Sequence, residues 1–86
     1  MKEFSYIIKD ELAMHIGPAG RLAQLVKYYP DNTVTINMGE RSADASKPLK
    51  VALMGIRKGD KVTVVCEGPD EVDVVDVIYN FFVDNM

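Results

Sequence analysis

A single cysteine, Cys66, gives this chain of 86 residues no partner for an internal disulfide. That excludes the cross-linked frameworks on which many small secreted domains depend. With one cysteine and one histidine, His15, the chain also has too few donors for an ordinary zinc site, and no metal or cofactor is expected. No run of 18 apolar residues occurs, so no membrane insertion is expected. The opening "MKEFSYIIKDEL" puts Glu3 and Asp10 where a secretory leader needs an uncharged apolar stretch. A cytoplasmic protein is the expectation. There are no internal repeats, low-complexity tracts or linkers, so residues 1–86 read as one domain. At this length folding buries roughly 60–65% of the extended-chain surface, enough for one modest core.

Basic residues are missing from one end. Residues 1–66 carry ten Lys and Arg against seven Asp and Glu, while residues 67–86 carry six acids and no base. The net charge of −3 and the lack of a clustered basic patch argue against nucleic acid as a partner. The mildly basic part contains His15, which suits a small anionic group better than a polyanion.

Hydrophobic spacing supplies the elements. "KEFSYIIK" alternates, with Phe4, Tyr6 and Ile8 on one strand face. "DELAMHI" reads as a loop that holds His15 near its end. Pro18 suits the first turn of a helix, with Gly17 near its cap, and Leu22, Leu25 and Val26 follow at helical spacing beside Ala19 or Ala23. "YYPDN" ends that helix. A hairpin is expected over 33–38 and 40–43, with Gly39 in its turn. A short helix, "KPLKVALM", follows Ser46 and closes at Gly55. In "GDKVTVVCEG", Val62, Val64 and Cys66 alternate onto one strand face, which makes Cys66 a buried thiol. The last segment has the valines of a strand, but Val74, Val75, Ile78, Phe81 and Phe82 form a helical stripe, and helix is the reading taken. The order β-α-β-β-α-β-α implies an α+β two-layer domain, an open sheet covered on one face by helices.

In this order, "MHIGPAG", "LMGIRKGD" and "EGPDE" carry a whole-length resemblance. The chain resembles the histidine-containing phosphocarrier family of the bacterial sugar phosphotransferase system, HPr. The resemblance implies a four-stranded antiparallel sheet with three helices, in an open-faced sandwich. It implies that His15 accepts a phosphoryl group originating in phosphoenolpyruvate from the system's first enzyme and passes it to sugar-specific permease components. Such a protein is a substrate of phosphotransferases, not an enzyme, and is expected to be a monomer. In many relatives a serine ahead of the second helix is modified by a serine kinase, in a branch that also engages a transcriptional regulator. Here that serine corresponds to Ser46 or, because the spacing is one residue longer, to Lys47, which such a kinase cannot modify.

Why would the lone imidazole stand at a helix mouth? A helix start presents unpaired N–H groups and partial positive charge, a ready anion site. The amides of Ile16 and Gly17 are the expected phosphate donors, since Pro18 has no N–H. The family's arginine two residues after the histidine is replaced by Gly17, which removes a guanidinium. Arg21, four residues on and on the same face, is the candidate substitute. The alternative is an HPr-like interaction module that does not cycle phosphate on His15. An enzyme with its own pocket is disfavoured, because no second acid, base or nucleophile accompanies His15 in sequence. Ser46 also suits the N-cap of the short helix. Met14, Lys47, Leu49 and Lys50 lie where family members dock partners, although core packing is the first reading for Leu49.

Overall fold

The computed structural model describes residues 1–11 and 15–86. Its elements are β1 (Lys2–Ile7), α1 (Ile16–Lys27), β2 (Thr33–Met38), β3 (Arg41–Asp44), α2 (Pro48–Ala52), β4 (Lys61–Glu67) and α3 (Glu71–Asn85). The strands form one antiparallel sheet in the order β1-β4-β2-β3. Period-two patterning explains which face the helices cover. Phe4 pairs with Val64, Val64 with Ile36, and Ile36 with Ala43, a row of apolar side chains across all four strands. Val62 and Cys66 extend it along β4, and both are fully buried. The alternate residues Ser5, Thr63, Asn37 and Ser42 stand on the opposite face, where the Ser5 and Thr63 hydroxyls are 3.2 Å apart. This is the expected open-faced α+β sandwich.

Against the apolar face α1 buries Ala19, Leu22, Ala23 and Val26, and α3 buries Val74, Ile78 and Phe82. The C-terminal segment is thus a helix despite its valines. A strand would have put Val74 and Val75 on opposite faces, whereas the helix turns Val74, Ile78 and Phe82 together onto the core. Phe82 closes the β1 edge, with its ring centroid 5.4 Å from Phe4 and 5.7 Å from Tyr6 in edge-to-face geometry.

Local chemistry fixes the joints. Gly39 and Gly55 adopt positive φ, 61° and 72°, at the hairpin turn and behind α2. After β4, Asn32 ties the α1–β2 joint to the start of α3. Its Nδ2 donates to Asp70 Oδ2 at 3.0 Å, and its Oδ1 accepts the Asp70 N–H at 2.9 Å. Gly68 passes so close that a Cβ there would lie 2.8 Å from Asn32 Cα.

Some boundaries differ from the sequence reading. Helix α1 begins at Ile16, so Gly17 lies inside the first turn and His15 is the N-cap. Strand β3 spans Arg41–Asp44, one residue later than expected, because the turn occupies Gly39 and Glu40. Helix α2 is a single short turn, with Lys47 rather than Ser46 at its N-cap.

Candidate functional site

His15 is exposed in extended backbone geometry, φ −72° and ψ 168°, and its imidazole makes no capping hydrogen bond. Its carbonyl accepts the Ala19 N–H at 3.0 Å, the first bond of the helix. That accounts for the first turn's donors one by one. Ala19 is used, Pro18 has none, and the Ile16 and Gly17 amides are left without an intrahelical acceptor. Both residues are exposed. The N-terminal partial charge of a twelve-residue helix adds to these donors. An exposed histidine thus directly precedes two amides that lack intrahelical acceptors, an arrangement that suits a small group carrying negative oxygens.

No packing demand explains glycine at 17. A Cβ built there meets no atom of the described residues within 4 Å, and the backbone is ordinary helix. Arg21 follows one turn later, exposed, and makes no ion pair among the described residues. Met14, expected to contribute to docking, lies outside the described residues.

The second candidate region is the start of α2. Ser46 is not its cap, because the side chain is engaged elsewhere. The Ser46 hydroxyl donates to Asp44 Oδ1 at 2.7 Å, and the Ser46 N–H donates to the same oxygen at 2.8 Å. Burial opposes ionisation of Asp44. The hydroxyl and amide of Ser46, aided by the charges of Lys47 and Lys50, outweigh it and hold this carboxyl below the usual carboxylate range. Sequence inspection missed this pairing, although Asp44-Ala45-Ser46 has the i, i+2 spacing of a local side-chain turn.

Leu49 is not core. It is 64% exposed, and Leu53, one turn later, is 76% exposed, while α2 turns Val51 inward. A one-turn helix can bury one narrow face, and Val51 occupies it. Leu49 and Leu53, with Ile16 at 57%, are exposed apolar side chains on two helices that pack together. Lys47, Lys50 and Arg21 are exposed on the same pair of helices. Leu53 was overlooked in sequence, although its i, i+4 relation to Leu49 was available.

Cys66 is buried, and burial, with the nearby Glu71 charge, pushes its thiol up to about 11. It is therefore a protonated, inert side chain at neutral pH. Among the described residues no group of three or more His, Cys, Asp and Glu side chains could hold a metal ion. No helix among them is long and apolar enough to cross a membrane.

Comparison with known proteins shows the family and the fold. Residues 2–84 match the PTS-HPr family, described as the PTS HPr component phosphorylation site. A phosphocarrier protein HPr of Mycoplasma capricolum is 29% identical over 84 residues, covering 98% of this chain and 93% of its own length. The phosphoryl donor subunit DhaM of a PEP-dependent dihydroxyacetone kinase from Providencia stuartii is 36% identical over 70 residues. That match takes in 81% of this chain and 14% of the larger subunit. Among solved structures, a mycoplasma histidine-containing phosphocarrier protein superposes with a TM-score of 0.90 at 26% identity, covering 96% of this chain and 93% of that one. HPr-C-His from Thermoanaerobacter tengcongensis shares the fold, with a TM-score of 0.89 at 20% identity over 99% of this chain and 94% of its own.

Proposed function

This chain belongs to the HPr family of phosphotransferase-system phosphocarriers, and on that premise we propose that His15 is the residue that carries its phosphoryl group. The supporting observation is the exposed His15 at the N-cap position of a helix whose first two amides, Ile16 and Gly17, have no intrahelical acceptor. In loading, the lone pair of an unprotonated ring nitrogen attacks phosphorus. A P–N bond forms as the bond to the donor breaks, and its electron pair leaves with the donor. The second ring nitrogen keeps its proton, so positive charge develops on the ring beside the incoming anionic oxygens. Delivery reverses these steps, with the imidazole as leaving group. Ile16 and Gly17 donate to the phosphoryl oxygens, and Arg21 supplies the cation that Gly17 cannot.

The proposed donor is the phosphoenolpyruvate-dependent first enzyme, and the setting is the cytoplasm. The acceptors are sugar-specific permease components. The likeness to a DhaM subunit favours a second reading, in which the acceptor belongs to a dihydroxyacetone kinase relay. Docking would use the exposed residues Ile16, Leu49, Lys47 and Lys50, with Met14. Ser46 is the candidate target of a serine kinase, and a transcriptional regulator is a further candidate partner. The Ser46 hydroxyl is already bonded to Asp44, so added phosphate charge would face a carboxylate and oppose modification.

The experiment is incubation with phosphoenolpyruvate and the first enzyme, followed by intact mass. An acid-labile gain of one phosphoryl group, absent from His15→Ala, is expected. No gain beside a competent control carrier would favour an interaction module that does not cycle phosphate. Arg21→Ala should slow transfer about tenfold or more, the scale of one lost charge-assisted contact, whereas Lys27→Ala should not. Equal effects would remove Arg21 from the site.

A further inference from the structure

The outward face of α3 lies apart from the His15 region and shares no residue with it. Val72, Tyr79 and Val83 are 59%, 44% and 51% exposed. Their spacing of seven and then four residues places them in one line along the helix, a ridge about 16 Å long. Tyr79 is held in this line by Phe4, whose ring centroid is 5.2 Å away. Asp76 lies beside the ridge between Val72 and Tyr79, and Asp73 lies further round the same exposed side. Neither acid has an ion pair among the described residues. Helix α3 has no Lys or Arg of its own. Positive charge stands at both ends of the helix: the Met1 ammonium pairs with Glu71, with the Lys2 charge nearby, and Lys9 and Lys58 line a cavity with Val83 and Asp84. Those positive charges are engaged with Glu71 or sit beside Asp84, which leaves Asp73 and Asp76 as the exposed acids along the ridge with no ion pair among the described residues.

We propose that this ridge is a docking surface for a basic amphipathic helix of a partner protein. Three nearly collinear apolar side chains match the apolar stripe of a facing helix. Lysines or arginines flanking that stripe would meet Asp73 and Asp76, which gives the match its sign. An anionic membrane surface is repelled by the same acids. The proposal is independent of whether His15 is phosphorylated. It gives the molecule a second face of opposite character: α1 and α2 present Arg21, Lys27, Lys47 and Lys50, while α3 presents acids.

The test is titration of the ¹⁵N-labelled protein with a synthetic amphipathic Leu/Lys helix, and separately with a Leu/Glu helix of the same apolar pattern. The expected result is saturable shifts from the Leu/Lys peptide at α3 amides near Val72, Asp76, Tyr79 and Val83, and none there from the Leu/Glu peptide. Asp73→Asn with Asp76→Asn should weaken binding about fivefold at low salt. Val72→Ser with Val83→Ser should weaken it about tenfold. Both pairs are exposed, so both variants should retain the wild-type spectrum in the free state. Shifts confined to other elements, equal response to both peptides, or insensitivity to both variants would overturn the proposal. So would sedimentation showing that the ridge is covered by a second copy of this chain at the concentrations used.

Discussion

A Cβ at position 17 would meet no atom of the described residues within 4 Å, so a side chain can be added there without disturbing the described packing. Restoring the cation is therefore a clean perturbation. Gly17→Arg should fold normally and slow loss of phosphate from loaded His15 by about tenfold, since a bidentate guanidinium contributes roughly 1.5–3 kcal/mol. Faster loss, or no change, would show that the site does not depend on a cation at this position. Ser46 permits a second test at the same scale. Because its bonds lower the Asp44 midpoint, Asp44 stabilises the fold above its ordinary unfolded value, and this is lost as pH falls through the folded midpoint. Ser46→Ala should raise the Asp44 midpoint in an NMR titration. It should also cost about 1 kcal/mol at neutral pH, a deficit that shrinks on acidification. A deficit that persists unchanged once Asp44 is protonated would contradict the assignment.

At the scale of elements, the joint between β4 and α3 depends on a missing side chain. Gly68 has φ 147° and stands against Asn32, which bridges to Asp70. Gly68→Ala must move Asn32 and break at least part of that bridge. The expected loss is about 2–3 kcal/mol by denaturant unfolding, and an effect under about 0.5 kcal/mol would refute the close approach. Strands and long helices were legible in the sequence because their spacing is regular. Val62, Val64 and Cys66 declared one face of β4, and Val74, Ile78 and Phe82 declared the buried stripe of α3. The short elements were less so. One turn of helix has too little periodicity to show that Leu49 faces solvent. The engagement of Ser46 depends on Asp44 turning back toward it, a local hydrogen bond that competes with capping. At the histidine, which first-turn amides lack an intrahelical acceptor was legible from Ile16-Gly17-Pro18, since a proline at the third helical position has no amide to offer.

For the whole molecule, one sheet with helices on a single face leaves the His15 cap, the α2 surface and the outer side of α3 as separate solvent-facing regions. Charge divides them: exposed bases on α1 and α2, exposed acids on α3. A phosphocarrier must hold its load loosely enough to release it, and the proposed cradle of two backbone amides with one candidate guanidinium would be a modest one. The central claim is that the phosphoryl group on His15 rests against the amides of Ile16 and Gly17. Amide ¹H–¹⁵N spectra recorded before and after loading with phosphoenolpyruvate and the first enzyme test it most directly. The account predicts the largest downfield proton shifts at Ile16 and Gly17, reverting as the phosphate hydrolyses and absent in His15→Ala. Loading of His15 that leaves both amides unmoved, or phosphate retained by His15→Ala, would contradict it.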